Sequence, residues 1–256
     1  MILTDFHIHS NFSDGKHSIP EIIDFYGSRG FGAIAITDHL CETKTFLGKA
    51  ANYLNHTLTE ETFPLYLETI RTEGARAWDQ YRMRVMPGVE FTRNSVLNHR
   101  SAHILALNLN HFISPNGTIE EILHEIRNQG AFSVAAHPVF TRRLEKQTFH
   151  LWDRKEELEP LFDAWEVASG PNLFPEVQTS GFRMIANTDL HRFSQINAYK
   201  TLVDSARNPE AILDAIMKQK VNFHLYRDHR HAVRSRPHSV PVGIQTRDVI
   251  PVYATK

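Results

Sequence analysis

Short apolar runs alternate along this chain with helices that carry their own start and stop signals, and few folds accept that alternation. Ile2 to Ile8 is a strand-like run. Ser18-Ile-Pro-Glu21 follows as a capping box with proline near the first helical turn, and the helix runs to about Ser28, with Gly30 as its stop. Ala33 to Thr37 is a continuous apolar run of the kind buried on both faces. The same punctuation recurs. Arg84 to Phe91 reads as a strand broken locally by Pro87-Gly88, and Ala102 to Leu109 as another. Thr118-Ile-Glu-Glu121 caps a helix that reaches about Gln129 before Gly130. Phe132 to Ala136, Asp163 to Ala168 and Phe182 to Asn187 are further strands, Pro209 to Lys218 is a helix, and Val221 to Tyr226 is the last strand. The pattern predicts an α/β fold with a parallel sheet. About seven strands favour a (β/α)7 barrel over an open sheet.

Two stretches depart from the alternation. Residues 41–80 are polar and carry a predicted helix from about Thr59 to Tyr81, with Glu60, Glu61, Glu68, Arg71, Glu73, Arg76 and Arg82 on a solvated face. Phe63, Leu67, Ile70 and Trp78 form a narrower apolar stripe. This is expected to be a helical insertion after strand 2 that covers the barrel mouth. From Arg227 onward the chain is basic and interrupted by Pro237, Pro241 and Pro251. The expected organisation is one barrel over residues 1–226 and an irregular, solvated tail over 227–256.

Composition excludes several function classes. The 256 residues are 41% hydrophobic, enough for one sizeable core. A net charge of −1 argues against a broad surface for nucleic acid or anionic membrane. No run approaches the ~18 apolar residues of a membrane span, and the start lacks the basic and apolar regions of a signal peptide. Cys41 is the one cysteine, so no intrachain disulfide forms. A cytoplasmic protein is expected.

The chemistry sits at strand ends. On a strand, His7 and His9 point to one face and can hold one ion, and Asp14 on the following turn adds an oxygen ligand. His39, Glu90, His137, Asp189 and His191 also fall at or near strand ends, where barrels place functional groups. His103 is the exception, near the start of its strand. Six imidazoles and three carboxylates converging on one mouth require cations to compensate them. Nine ligands, at about three to five for each ion, suit two or three ions, and the mixture of histidine and carboxylate favours Zn, Mn or Fe over Mg or Ca. No Gly-x-Ser-x-Gly elbow or phosphate-binding P-loop is present, and Cys41 lacks an identifiable base. Histidines 17, 56, 99, 111, 124, 150, 224, 229, 231 and 238 fit no defensible ligand spacing, His99 coming closest.

Six short stretches, in order, resemble the polymerase and histidinol phosphatase (PHP) family: Asp5-Phe-His-Ile-His-Ser with Ser13-Asp-Gly15, Ile36-Thr-Asp-His39, Pro87-Gly-Val-Glu90, Ala102-His103, Ala136-His-Pro138 and Asn187-Thr-Asp-Leu-His191. They cover roughly residues 1 to 195. The resemblance implies a distorted barrel with up to three divalent metal ions. His7, His9, Glu90 and Asp189 would hold the first ion. Glu90 would bridge to a second, held also by His103 and His137. Asp14, His39 and His191 would hold the third. Some members have histidine where this chain has Asp14, and an oxygen there favours a harder ion such as Mn or Fe. The implied activity is hydrolysis of a small phosphomonoester or a short nucleotide by a metal-activated hydroxide, with no protein nucleophile. A small phosphorylated substrate is the expected partner; nucleic acid enters only as a short substrate, and no membrane is involved.

Around that set the residues leave more than one reading open. Asp5 and Asp38 adjoin ligands and either orient them or are ordinary strand-end aspartates. Arg93, Arg142, Arg143 and Arg192 follow ligands closely and suit phosphate binding, or are surface arginines. An amidohydrolase-type hydrolase of C–N or C–O bonds also opens on His-x-His, although it usually bridges its metals with a carbamylated lysine where Glu90 stands here. A non-catalytic module stapled by metals is the third possibility.

Overall fold

The structure, a computed structural model, describes residues 1–44, 49–50, 56–94, 101–139 and 149–229, and the backbone of 249–251. Its strands are β1 (Ile2–Asp5), β2 (Ala33–Ile36), β3 (His39–Cys41), β4 (Arg84–Arg93), β5 (Ala102–Leu107), β6 (Phe132–Ala135), β7 (Ala164–Ser169), β8 (Asn172–Leu173), β9 (Met184–Asn187), β10 (Tyr199–Val203), β11 (Val221–Leu225) and β12 (Val249–Pro251). The longer helices are α1 (Ile19–Gly27), α2 (Phe63–Tyr81), α3 (Ile119–Asn128) and α4 (Pro209–Met217). No helix among the described residues is long and apolar enough to cross a membrane.

Helix starts follow the capping chemistry. Glu21 reaches back to the Ser18 N–H at 2.8 Å to open α1. Thr118 Oγ1 accepts from the Glu121 N–H at 3.1 Å while Glu121 accepts from the Thr118 N–H at 2.8 Å, the reciprocal box that opens α3. Asn208 caps α4 through the Ala211 N–H at 2.8 Å. Each helix then turns its apolar face inward: Ile122, Leu123 and Ile126 on α3 are buried, as are Ile212, Leu213 and Ile216 on α4.

The strands form one curled sheet in the order β12-β11-β10-β1-β2-β4-β5-β6-β7-β8, with β3 beside β4 and β9 beside β7. All four residues of β2, Ala-Ile-Ala-Ile, have no exposed surface. Strand and helix layers cover both of its faces, and each isoleucine contributes about 1.5–3 kcal/mol of apolar burial. Seven strands, β1, β2, β4, β5, β6, β7 and β9, curl until the chain after β9 meets the chain after β1. There the Leu190 N–H donates to the His7 carbonyl at 3.1 Å and the His9 N–H to the Leu190 carbonyl at 2.8 Å. Lower down the ring is wedged by β10, which pairs antiparallel with β1. Thr201 Oγ1 on β10 also accepts from the Ala186 N–H at 2.8 Å and donates to its carbonyl at 2.9 Å. The barrel is therefore distorted.

The expectation of an all-parallel sheet needs correction. β1–β2, β2–β4, β6–β7 and β7–β9 are parallel, but β5 runs antiparallel to both β4 and β6. The connection from β4 to β5 is too short for a crossover helix, whereas the one from β5 to β6 carries α3 and still returns the chain antiparallel to β5. Pro87-Gly88 does not break β4, which continues to Arg93. Gly88 instead permits a close approach: a Cβ there would lie 2.5 Å from the Ala106 carbonyl oxygen.

The polar segment after β2 carries the expected helix. Its helix α2 is the crossover between the parallel strands β2 and β4 and packs along α1. Arg76 bonds Asp24 at 2.6 Å, and the Tyr81 hydroxyl donates to the same carboxylate at 3.0 Å. Its apolar stripe is Phe63, Tyr66, Leu67, Ile70 and Ala77, with Trp78 only half-buried under the Arg84 guanidinium. Within the tail, Val249–Pro251 pairs antiparallel with β11.

Candidate metal centre

The nine residues singled out at strand ends converge on one mouth. Phe6 and Ile8 point into the core, while His7 and His9, fully buried, face the cavity. The Ser13-Asp14-Gly15 turn folds back so tightly that a Cβ on Gly15 would lie 2.3 Å from the His9 carbonyl oxygen. This brings Asp14 over the histidines. His39 pairs with Glu90 in the β3–β4 register, and His103 pairs with Thr92 at the start of β5. Because β5 is antiparallel, its first residues lie at the same end as the last residues of β4. That places His103 with the others.

Glu90 is the hub. Its Oε1 lies 3.5 Å from His7 Nε2, 2.9 Å from His103 Nδ1 and 3.3 Å from His137 Nε2. Its Oε2 lies 3.5 Å from His9 Nε2 and 2.8 Å from His39 Nδ1. Asp189 Oδ1 is 3.4 Å from His7 Nε2, 3.2 Å from His9 Nε2 and 3.5 Å from His191 Nδ1. Asp14 Oδ1 is 3.1 Å from His191 Nε2 and 3.6 Å from His39 Nε2. Four overlapping groups bring their ligand atoms within 4.8 Å of one another: His9-Asp14-His39-His191, His7-His137-Asp189, His7-His9-Glu90 and Glu90-His103-His137. His9 thus sits geometrically with Asp14, His39 and His191 as well as with His7 and Glu90.

The arrangement fits metal ions on two counts. Two ligands about 2.1 Å from a tetrahedral cation stand roughly 3.4 Å apart, which is the separation that recurs here. In addition, His7 Nε2, both ring nitrogens of His9, Asp14 Oδ1 and Glu90 Oε2 are buried and make no hydrogen bond. Buried polar atoms are seldom left so, and His7 Nε2 and His9 Nε2 both face Glu90 and Asp189. The backbone carries strain at the same place: His137 has φ +27° and Asp189 φ +57°, conformations that cost about 1–3 kcal/mol each in residues other than glycine.

Electrostatics follow from the crowding. Burial pushes His9 down to about 3, and neighbouring His39 pushes it the same way, so the ring stays neutral with one nitrogen lone pair available for coordination. Burial would also lower His7, but Asp189, Glu166 and Glu90 outweigh it and hold the ring well above its usual value. Burial opposes ionisation of Glu90, yet His103, His39 and His7 hold it well below the usual carboxylate range. At the outer edge, burial works against both partners of the Asp14–His191 pair, and their mutual contact overcomes it. Asp14 falls to about 2 and His191 rises to about 9. The raised histidine contributes stability below pH ~6.5 that is lost as pH rises through about 9. The lowered aspartate contributes stability above pH ~3.8 that is lost as pH falls through about 2. In metal-free protein, Asp14→Asn therefore lowers the melting temperature most at pH 4–6.5 and least above pH 9, measured as melting curves of both proteins across that range.

Supporting groups surround the nine. Asp38 accepts from the Ser10 N–H at 2.8 Å, Ser10 Oγ at 2.6 Å and Ser13 Oγ at 2.5 Å, and so fixes the loop between His9 and Asp14. Tyr66 Oη lies 2.9 and 2.8 Å from the carbonyls of Ile36 and Gly88, pinning the end of β2, just before His39, to β4, which carries Glu90. Asp5 accepts from Tyr26 Oη at 2.7 Å and from the Thr188 N–H at 3.0 Å, with Thr188 Oγ1 also bonded to it, and pairs with the fully buried Lys200 at 3.1 Å. Both aspartates thus hold segments that carry ligands. Three further groups were not singled out from the sequence. Thr92 Oγ1 lies 2.7 Å from His39 Nδ1, Asn94 Oδ1 lies 3.2 Å from His103 Nε2, and Glu166 Oε1 lies 3.0 Å from His7 Nδ1. Only Glu166 left a sequence signal, as a lone carboxylate in the apolar run Ala164-Trp-Glu-Val-Ala168.

Of the four arginines singled out from the sequence, Arg93 and Arg192 lie among the described residues. Arg93 is tied to Glu42 at 3.2 Å and to the Gly117 carbonyl. Arg192 is exposed next to His191, with its backbone N–H on Gln195 Oε1 at 2.7 Å. Arg142, Arg143 and His99 lie outside the described residues. Cys41 is buried, and burial pushes its thiol up to about 11, which suits a packing residue.

Comparison with known proteins agrees with this architecture. The fold is similar to that of a two-domain protein from Bacteroides vulgatus containing a predicted PHP-like metal-dependent phosphoesterase, with a TM-score of 0.63 and 19% identity over 88% of this chain. This chain spans 65% of that protein's length. An amidohydrolase from Chromobacterium violaceum, with bound sulfate and no metal, matches at a TM-score of 0.48 and 13% identity over 85% of this chain and 96% of its own. No curated protein sequence matches. Residues 5–137, just over half of the chain, match the model of the PHP domain, and with the fold and the converged histidines and carboxylates in place, the chain belongs to the PHP domain family.

Proposed function

We propose that this chain is a metal-dependent phosphoesterase that hydrolyses a small phosphomonoester or a short nucleotide. The observation that carries this reading is the overlap of four ligand groups, two of which share the buried Glu90. A carboxylate facing five imidazoles is placed to be shared between adjacent ions. Two or three divalent ions, Zn, Mn or Fe, suit the donor set. His7, His9, Glu90 and Asp189 would hold one, Glu90, His103 and His137 a second, and Asp14, His39 and His191 a third. Such ions lower the pKa of water toward neutrality and offset phosphate charge.

The protein's own part is placement. The buried imidazoles and Glu90 form the floor of the site, while Asp14 and Asp189, with side chains 35% and 30% exposed, form its open side. A phosphate group entering from that side meets cation-compensated ligands rather than bare carboxylates. Hydrolysis of amides is supported less well. Lys200, the buried lysine among the described residues, is bound to Asp5 and Thr188 and does not reach the centre.

Elemental analysis of the purified chain should find bound transition metal. A panel of phosphomonoesters, with phosphodiesters and amides as controls, should show turnover that disappears on chelation and returns with Zn or Mn. Full turnover by metal-free protein, or activity confined to amides, would overturn this assignment.

A further inference from the structure

Glu166 lies fully buried in the middle of β7 and is not one of the nine converging residues. Every group around its carboxylate is a donor. His7 Nδ1 lies 3.0 Å and Asn187 Nδ2 2.8 Å from Oε1, and the His137 backbone N–H lies 2.7 Å from Oε2. An ionised carboxylate satisfies three donors without a proton of its own to place. Asn187 in turn accepts the Phe6 N–H at 2.9 Å. One side chain on β7 thus ties together the ends of β1, β6 and β9, the three strands that deliver His7, His137 and Asp189.

We propose that Glu166 is a positioning residue that fixes His7 in the tautomer able to coordinate metal and holds the backbone of His137. A proton kept on His7 Nδ1 by Glu166 makes Nε2 the nitrogen that gives up its proton to bind metal. Nε2 makes no hydrogen bond and lies 3.4 Å from Asp189 and 3.5 Å from Glu90, facing the centre. At His137, the charge-assisted bond from the N–H holds a backbone whose φ of +27° is strained. The two rings served by this anchor stand 5.6 Å apart, 17° from parallel, and share a ligand group with Asp189. The inference rests on the metal-centre part of the reading above and not on its phosphate chemistry.

The isosteric substitution Glu166→Gln tests the role, because an amide cannot accept from all three donors. With its oxygen toward His7 and Asn187, its NH2 opposes the His137 N–H. Flipped, the NH2 forces the His7 proton onto Nε2, the nitrogen needed for metal. Zinc titration of the metal-free chain against a competing chelator should show affinity weakened roughly 10- to 100-fold, while the metal-free variant still unfolds cooperatively. In zinc-loaded wild-type protein labelled with 15N-histidine, NMR should find the remaining His7 ring proton on Nδ1. Unchanged zinc affinity in Glu166→Gln, or a His7 proton on Nε2 in the wild type, overturns the proposal. If the variant fails to fold, the wild-type tautomer decides alone. A wild type that binds no zinc overturns the metal centre and this role together. One that binds zinc but cleaves no phosphate ester overturns the phosphoesterase reading only.

Discussion

Glu90→Ala should strip the chain of the proposed metal and, with it, of the proposed phosphatase turnover. Glu90 is the one carboxylate in contact with His7, His9, His39, His103 and His137, so its loss removes a ligand from two groups at once. Loss of a group that merely orients a ligand costs about 10- to 100-fold in metal affinity or activity, and loss of a shared ligand should exceed the upper figure. The fold should tolerate the change better than the site does. The imidazoles left behind can shed their protons and stay buried as neutral rings. Metal content and turnover are measured on the same preparation, with a melting curve to show that the variant is folded. Stoichiometric metal together with undiminished turnover would remove Glu90 from the centre.

Lys200→Met strikes the fold. Lys200 has no exposed surface, pairs with Asp5 at 3.1 Å and bonds Thr188. Removing it leaves Asp5 ionised and buried without its cation, a loss of about 3–5 kcal/mol. In a chain of this size that is a fall of roughly 6–20 °C in melting temperature. The partner substitution Asp5→Asn, added to Lys200→Met, should recover much of the loss, because the stranded charge is then gone. Melting curves of both single variants and the double variant measure the coupling. If Lys200→Met alone melts with the wild type, the pair is not a structural anchor.

These two residues also show how unevenly the sequence can be read. Glu90 stood out because it fell near the end of an apolar strand, although in the fold β4 runs on past it to Arg93. Lys200 hid an entire strand. Tyr199-Lys-Thr-Leu-Val203 carries a lysine that reads as solvated, yet it is β10, its lysine neutralised by an aspartate 195 positions earlier. Glu166 was passed over for a related reason. One carboxylate in an apolar run has no meaning until its three donors, from three other strands, are in place.

Local chemistry determined what is local. Capping boxes set where α1 and α3 begin, and the unbroken apolar run Ala33–Ile36 set a strand buried on both faces. The histidines and carboxylates at strand ends identified the ligand types, because such groups are tolerated inside a protein only when compensated. Only the tertiary structure decided strand direction and therefore which ends meet. The sheet is mixed and β5 is reversed, so His103, at the start of its strand, joins residues that end theirs. Side-chain alternation is the same in parallel and antiparallel strands, so direction leaves no mark on the sequence of one strand. The return of the chain after β9 onto His7 and His9, which closes the ring and completes the centre, is a contact across more than 180 residues. It exists only once every strand between them has been placed.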